Sequence, residues 1–194
     1  QGYNVAMQTT ASLANHFLIA MPGMDDPNFS RGVTLLCHHS DEGAMGLMLN
    51  RNSDLVLGEL MTRIGIQNVD ASVASHAVLS GGPVEPERGF VLHSPDAGQY
   101  DATYRVSDQI LLTTSRDVLE AMARGEGPKR ALIALGYAGW GAQQLEHELQ
   151  EHVWLAVAAE PEVIFDVPLA QRWDAAARLI GIDPNALSSY SGHA

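Results

Sequence analysis

The chain has 194 residues, 46% of them hydrophobic, with 11 Lys and Arg against 23 Asp and Glu, or a net charge of −12 with histidine neutral. A length like this supports one compact core that buries roughly 70% of the unfolded surface. The acidic balance opposes general nucleic-acid binding, which needs cations to displace phosphate counterions, and opposes docking on anionic membranes.

The single cysteine, Cys37, can form no intramolecular disulfide, which fits a reducing cytoplasm. No apolar run approaches the ~20 residues of a membrane-spanning helix, and the N-terminus lacks the basic and apolar regions of a secretion signal. Residues 1–15 read as a leader, its first six residues non-native and Met7 the natural start. Residues 16–194 read as one domain, without a linker or an internal repeat.

In chain order, HFLIAM (16–21) predicts a buried strand ended by Pro22, and the Pro/Gly/Asp-rich residues after it a loop. GVTLLCHHS (32–40) and GAMGLMLN (43–50) predict a hairpin turning at Asp41–Glu42–Gly43. Leu57, Leu60, Met61 and Ile64 fall at helical spacing before Gly65. Residues 76–79 and 89–93 predict strands around the turn-rich GGPVEPER, and 104–113 two short strands or one bent strand. Ser115 is placed to cap a helix over 116–124, and a strand is expected over 129–137. A helix over 142–151, a strand over 153–158, a helix over 168–180 and a turn over 184–187 follow. Strands first, then alternation with short early connections, predict an α/β domain: a mixed sheet with helices packed on it.

The most informative stretch is GYAGWGAQQLEHELQ (136–150), where a strand meets glycines and a helix pattern begins. Free amides at such a turn suit an anion, although a tight turn with Trp140 in the core explains the same residues. His147 and His152 are five apart, about 140° around a helix, so they do not form a zinc-protease HExxH pair. On a regular strand Cys37 and His39 share a face, which makes a dyad conceivable, though Cys37 in its apolar run reads better as a small core residue. There is no GxSxG, phosphate-loop or GxGxxG motif.

HFLIAMPGMDDPNFSRGV, CHHSDEGAMGLMLNR, GGPVEPERGFVLHS, TTSRDVLEAMA, LGYAGWGAQQLEHEL and RWDAAARLIGID, in this order, resemble the bacterial YqgE/AlgH family from about His16 onward. The resemblance implies a single cytoplasmic α/β domain of unusual topology, the YqgE-like fold, with no agreed catalytic residue, cofactor or metal. The AlgH label implies transcriptional regulation of alginate synthesis, yet the family has no recognised DNA-binding motif. The characteristic positions fall here on Met21, Pro22, Asp26, Pro27, Gly43, Gly46, Asn50, Gly81, Gly82, Pro83, Arg88, Gly89, His93, Tyr137, Trp140, Gln144, Leu145 and Trp154. This chain carries His38 and Ser40 where the family often has Glu and Asn, and Gln143 where it often has Gly. Gly139 and Gly141 vary in the family, which weakens the anion-loop reading.

The leading expectation is a non-catalytic regulatory or binding domain for a small molecule or a protein. Asn50, Gly81, Gly82, Pro83, Arg88, His93 and Gln144 would face the ligand, with Pro22, Gly43, Tyr137 and Trp140 as anchors. If they serve one ligand, the polar members should converge on one concave patch. Trp140 would fix the turn in the core and Gln144 would be offered to the ligand. A small hydrolase or transferase using His93 or Glu148 as general base is the alternative. Direct DNA binding is disfavoured by the charge.

Overall fold

A computed structural model describes residues 11–21 and 31–183. The leader before residue 11, Pro22, Asp26, Pro27 and the turn expected over 184–187 lie outside the described residues. The strands are β1 (His16–Ala20), β2 (Val33–Ser40), β3 (Gly43–Met48), β4 (Asn52–Val56), β5 (Ala77–Ser80), β6 (Val84–His93), β7 (Thr103–Ser107), β8 (Ile110–Thr113), β9 (Ala131–Trp140) and β10 (Trp154–Ala158). The helices are α1 (Leu57–Arg63), α2 (Ala71–Ala74), α3 (Arg116–Ala123), α4 (Gln144–Gln150), α5 (Pro161–Phe165) and α6 (Arg172–Leu179), with a 3-10 turn at Leu169–Gln171. Among the described residues no helix is long and apolar enough to cross a membrane.

The strands form one curled mixed sheet in the order β10-β1-β2-β3-β9-β6-β8-β7, with β4 and β5 branching off β9. Only the β5–β9 pair is parallel among the described pairings. The α/β reading therefore holds. The predicted elements hold too, with differences where side-chain pattern says little. The turn-rich EPER belongs to β6, β9 runs on through its glycines to Trp140, and β4, α2 and α5 are additional. The helix expected over 168–180 begins at Arg172, because Pro168 opens the short 3-10 turn instead.

Strand β9 organises the sheet by changing partners along its length. Its first half, through Leu135, lies between β5 and β6, whereas Ala138–Trp140 pair with β3. The change happens at Gly136, whose φ is +78°. There the Gly81–Gly82 backbone crosses β9 at close range. A Cβ on Gly82 (φ +153°) would sit 2.2 Å from the Tyr137 carbonyl carbon, and one on Gly136 2.4 Å from the Gly82 oxygen. Two backbone bonds lock the crossing: Gly81 N–H donates to Leu135 O at 2.7 Å, and Met48 N–H to Gly81 O at 2.8 Å.

Period-2 alternation then divides the apolar residues among three cores. Phe17, Ile19, Leu35 and Leu47 meet Phe90, Leu92, Leu132 and Ala134 inside the curl, sealed by Val163, Ile164, Trp173 and Ala176 of α5 and α6. Val78, Val91 and Ile133 face the other way, against Leu57 and Met61 of α1 and Val118 and Met122 of α3. Leu18, Leu36 and Ala138 face Trp140, Leu145 and Trp154. Each large buried side chain contributes roughly 1.5–3 kcal/mol. Helix α6 is also held through polar groups, with Trp173 Nε1 donating to Ala20 O at 3.0 Å.

Gly82→Ala should lower the unfolding free energy by more than about 3 kcal/mol, because backbone rather than a flexible side chain occupies the space. Gly89→Ala, where an added methyl meets nothing within 4 Å, should change it by less than about 1 kcal/mol. Urea denaturation of both variants checks the pair.

Candidate functional site

The glycines of the strand–helix junction at 136–150 form no cradle of free amides. Trp140 and Gly139 are paired with Ala44 and Met45 of β3, so their stretch is strand and not an amide cradle. The Gly141 N–H is taken by Gln144 Oε1 at 2.9 Å. Gln144 Nε2 in turn donates to Glu148 Oε2 at 3.0 Å. Glu148 Oε1 accepts both indole N–H groups, Trp140 at 3.0 Å and Trp154 at 2.8 Å. The two indoles meet edge to face with centroids 6.0 Å apart. Trp140 is thus packed in the core. Gln144 is exposed, and its amide is spent within the junction, on the Gly141 N–H and on Glu148. Gln143 stands in the left-handed region at φ +66°, which gives a physical reason for glycine to suit that position.

A bulge in β2 overturns the shared face of Cys37 and His39. The register shifts between Leu36, opposite Gly46, and His38, opposite Met45, leaving Cys37 as the extra residue. Cys37 joins the inner core, and burial pushes its thiol pKa up to about 12. That thiol is no nucleophile. His39 points to the opposite side, where Nδ1 accepts from Leu13 N–H at 2.9 Å and Nε2 donates to Glu146 Oε2 at 2.8 Å. This His39–Glu146 contact joins residues 107 positions apart in two separate motifs, and nothing in their spacing announces it.

The remaining expected ligand groups hold the framework. Asn50 Oδ1 accepts from Val33 N–H and its Nδ2 donates to Arg31 O, both at 3.0 Å, tying β3 to the start of β2. Gly81 and Gly82 form the crossing, and Pro83 follows it beside Met48, Arg51 and Asn52. Gly43 passes the Trp140 carbonyl too closely for a side chain. His93 is buried, with Nδ1 donating to Ser94 O at 2.8 Å, so Nε2 accepts from Thr113 Oγ1 at 2.7 Å. Burial outweighs the Ser94 carbonyl and Asp96 and lowers its pKa below the ordinary 6.5. Among the described residues no group of three His, Cys, Asp or Glu is arranged to hold a metal ion.

Arg88, Gly43, Tyr137 and Trp140 do meet, in a groove of about 550 Å³ that also takes His38, Met45, Phe90, Leu112 and Thr114. Neither Asn50, His93 nor Gln144 lines it, so the polar members do not share one patch. The curl of the sheet makes this groove. Its walls come from β2 and β3 on one side and from β6 and β8 on the other, with β9 as floor. His38 Nδ1 reaches Tyr104 Oη on β7 at 3.3 Å, with the rings edge to face. Phe90 and Tyr137 also stack edge to face, at 5.8 Å. The Arg88 guanidinium lies 5.3 Å from the Phe90 ring centroid and 3.7 Å from Glu85, both side chains about half exposed. A cation held over an aromatic surface, with an imidazole nearby, can hold an organic anion with a flat or apolar body on the side away from Glu85, while the Glu42 carboxylate also lines the groove. His38 was legible only as a departure from the family pattern, and Tyr104 carried no signal at all.

Glu148→Ala leaves two buried indole N–H groups without their shared acceptor and should cost about 2–4 kcal/mol in urea denaturation. Gln144→Ala removes the hydrogen bonds to the Gly141 N–H and to Glu148 and should cost about 1 kcal/mol rather than nothing.

Comparison with known proteins now places the chain. The AlgH-like family model matches residues 17–185. A UPF0301 protein of Stenotrophomonas maltophilia is 51% identical over 95% of this chain and 98% of its own length. One of Xanthomonas axonopodis pv. citri is 53% identical over 94% and 96%. The solution structure of the AlgH protein from Pseudomonas aeruginosa, 45% identical, superposes with a TM-score of 0.78 over 91% of this chain and 93% of that one. A crystal structure from Corynebacterium diphtheriae, 21% identical, shares the fold with a TM-score of 0.71 over 93% of this chain and 92% of that one. The chain belongs to the AlgH-like family.

Proposed function

We propose that this chain is a cytoplasmic binding domain of a regulatory kind, whose ligand or partner group enters the groove between β2–β3 and β6–β8 and which catalyses no reaction itself. The observation that carries this reading is the Arg88 guanidinium set over Phe90 in a groove of about 550 Å³, a volume suited to a small organic molecule. The bases available to the hydrolase or transferase reading are already engaged. The Nε2 lone pair of His93 receives the Thr113 hydroxyl, and both oxygens of Glu148 accept hydrogen bonds. A general base must lie within reach of a substrate proton, and neither His93 nor Glu148 lines the groove. The net charge of −12 supports action through a ligand or a protein rather than through direct contact with DNA. An effect on transcription, of the kind the AlgH label suggests, would then be indirect.

Amide chemical-shift mapping with benzoate, an anion on an aromatic body, tests the groove. Saturable shifts should appear at residues 38–45, 88–90 and 137–139. Arg88→Ala should weaken binding about tenfold, or ~1.4 kcal/mol, with the fold intact. Shifts elsewhere, or an affinity indifferent to Arg88, would contradict the proposal.

A further inference from the structure

A second concavity, of about 500 Å³, lies between β5, the start of β9 and helices α5 and α6, and shares no lining residue with the groove. Lys129, Arg130 and Arg172 line it together with His76, and Asp166 is its one carboxylate. Three of the chain's 11 basic residues thus meet in one cleft of a protein that carries −12. Leu79, Leu132, Ile164, Phe165 and Leu169 supply apolar walls.

The placement of Arg172 is what needs explaining. Its guanidinium is partly buried, and its Nε and Nη1 donate to the backbone carbonyls of Val167 and Leu49. No carboxylate pairs with it among the described residues. It opens helix α6, so its charge stands at the positive end of that helix dipole. Burial lowers its pKa below the ordinary guanidinium value, as expected for a cation short of compensation. Fixing a charge in this way is costly unless a counter-charge arrives. Arg130 is better served, ion-paired with Asp166 and lying over the Phe165 ring. Lys129 is exposed, and its charge is felt by Asp96.

We propose that this cleft is an anion site for a small organic phosphate, the phosphoryl group bound by Arg172 and Lys129 and the organic body resting on Leu79, Phe165 and Leu169. A dianion matches the lining: Asp166 offsets Arg130 and leaves Arg172 and Lys129, with Asp96 near Lys129 but outside the lining. The apolar walls favour an ester over inorganic phosphate.

Calorimetric titration with phenyl phosphate and with inorganic phosphate tests this on the whole chain. Phenyl phosphate should bind saturably and at least fivefold more tightly than inorganic phosphate. Lys129→Gln should weaken it at least fivefold without lowering the melting temperature by more than a degree or two. Asp166→Asn frees the Arg130 guanidinium and removes the carboxylate, so it should tighten binding severalfold, a gain that no loss of structure can imitate. Arg88→Ala, in the other groove, should leave phenyl phosphate affinity unchanged. Absence of saturable binding, equal affinity for the two probes, or an affinity that ignores both Lys129→Gln and Asp166→Asn would overturn the assignment. Loss on Arg88→Ala alone would move phenyl phosphate to the groove and likewise overturn it.

Discussion

The structure depends on one close crossing of backbone over backbone. Gly81 and Gly82 pass across β9 at Gly136–Tyr137 with no space for a side chain at Gly81, Gly82 or Gly136. Above the crossing β9 is flanked by β5 and β6, and below it by β3. That exchange lets one strand serve two arms of the sheet and lets the sheet curl. The curl then encloses the inner core and brings His38 of β2 to Tyr104 of β7, although β3, β9, β6 and β8 lie between β2 and β7 in the strand order. Groove and core are consequences of the same turn in one strand.

Most of the element order was legible in the sequence because apolar periodicity reports burial directly. HFLIA, VTLLC and LIAL read as strands, and Leu57, Leu60 and Met61 as one helical face. The misreadings share a physical cause: backbone events leave little trace in side-chain pattern. GYAGW looks like a broken strand, yet the glycines answer a neighbouring backbone rather than end the element. VEPER looks like a turn, yet exposed polar residues can run along a strand bordered by a register shift. The bulge at Cys37 inverts the parity of the next residues, and a period-2 argument cannot see an inserted residue.

Site residues were harder to read than the fold, and the reason is chemical. Polar side chains near turns satisfy backbone groups before they meet ligands. Asn50, Gln144 and His93 all do so, and Glu148 spends one oxygen on two indoles and the other on Gln144. Arg88 and Tyr137 do line the groove, because they sit on strand faces that the curl turns inward. The groove's His38 is set there by the bulge, and the cationic cleft gathers Lys129, Arg130 and Arg172 from segments more than 40 residues apart. Neither arrangement has a local motif.

Native-state hydrogen exchange tests the central claim most directly, because it reads the opening free energy of single amides. The Gly81 amide, bonded to Leu135 O, and the Met48 amide, bonded to Gly81 O, report the crossing from both sides. If the crossing holds the sheet together, both amides exchange only through global unfolding, as slowly as Ile133 and Ala134 at the centre of β9. Exchange of Gly81 and Met48 by a cheaper local opening, while Ile133 and Ala134 stay protected, would contradict the account.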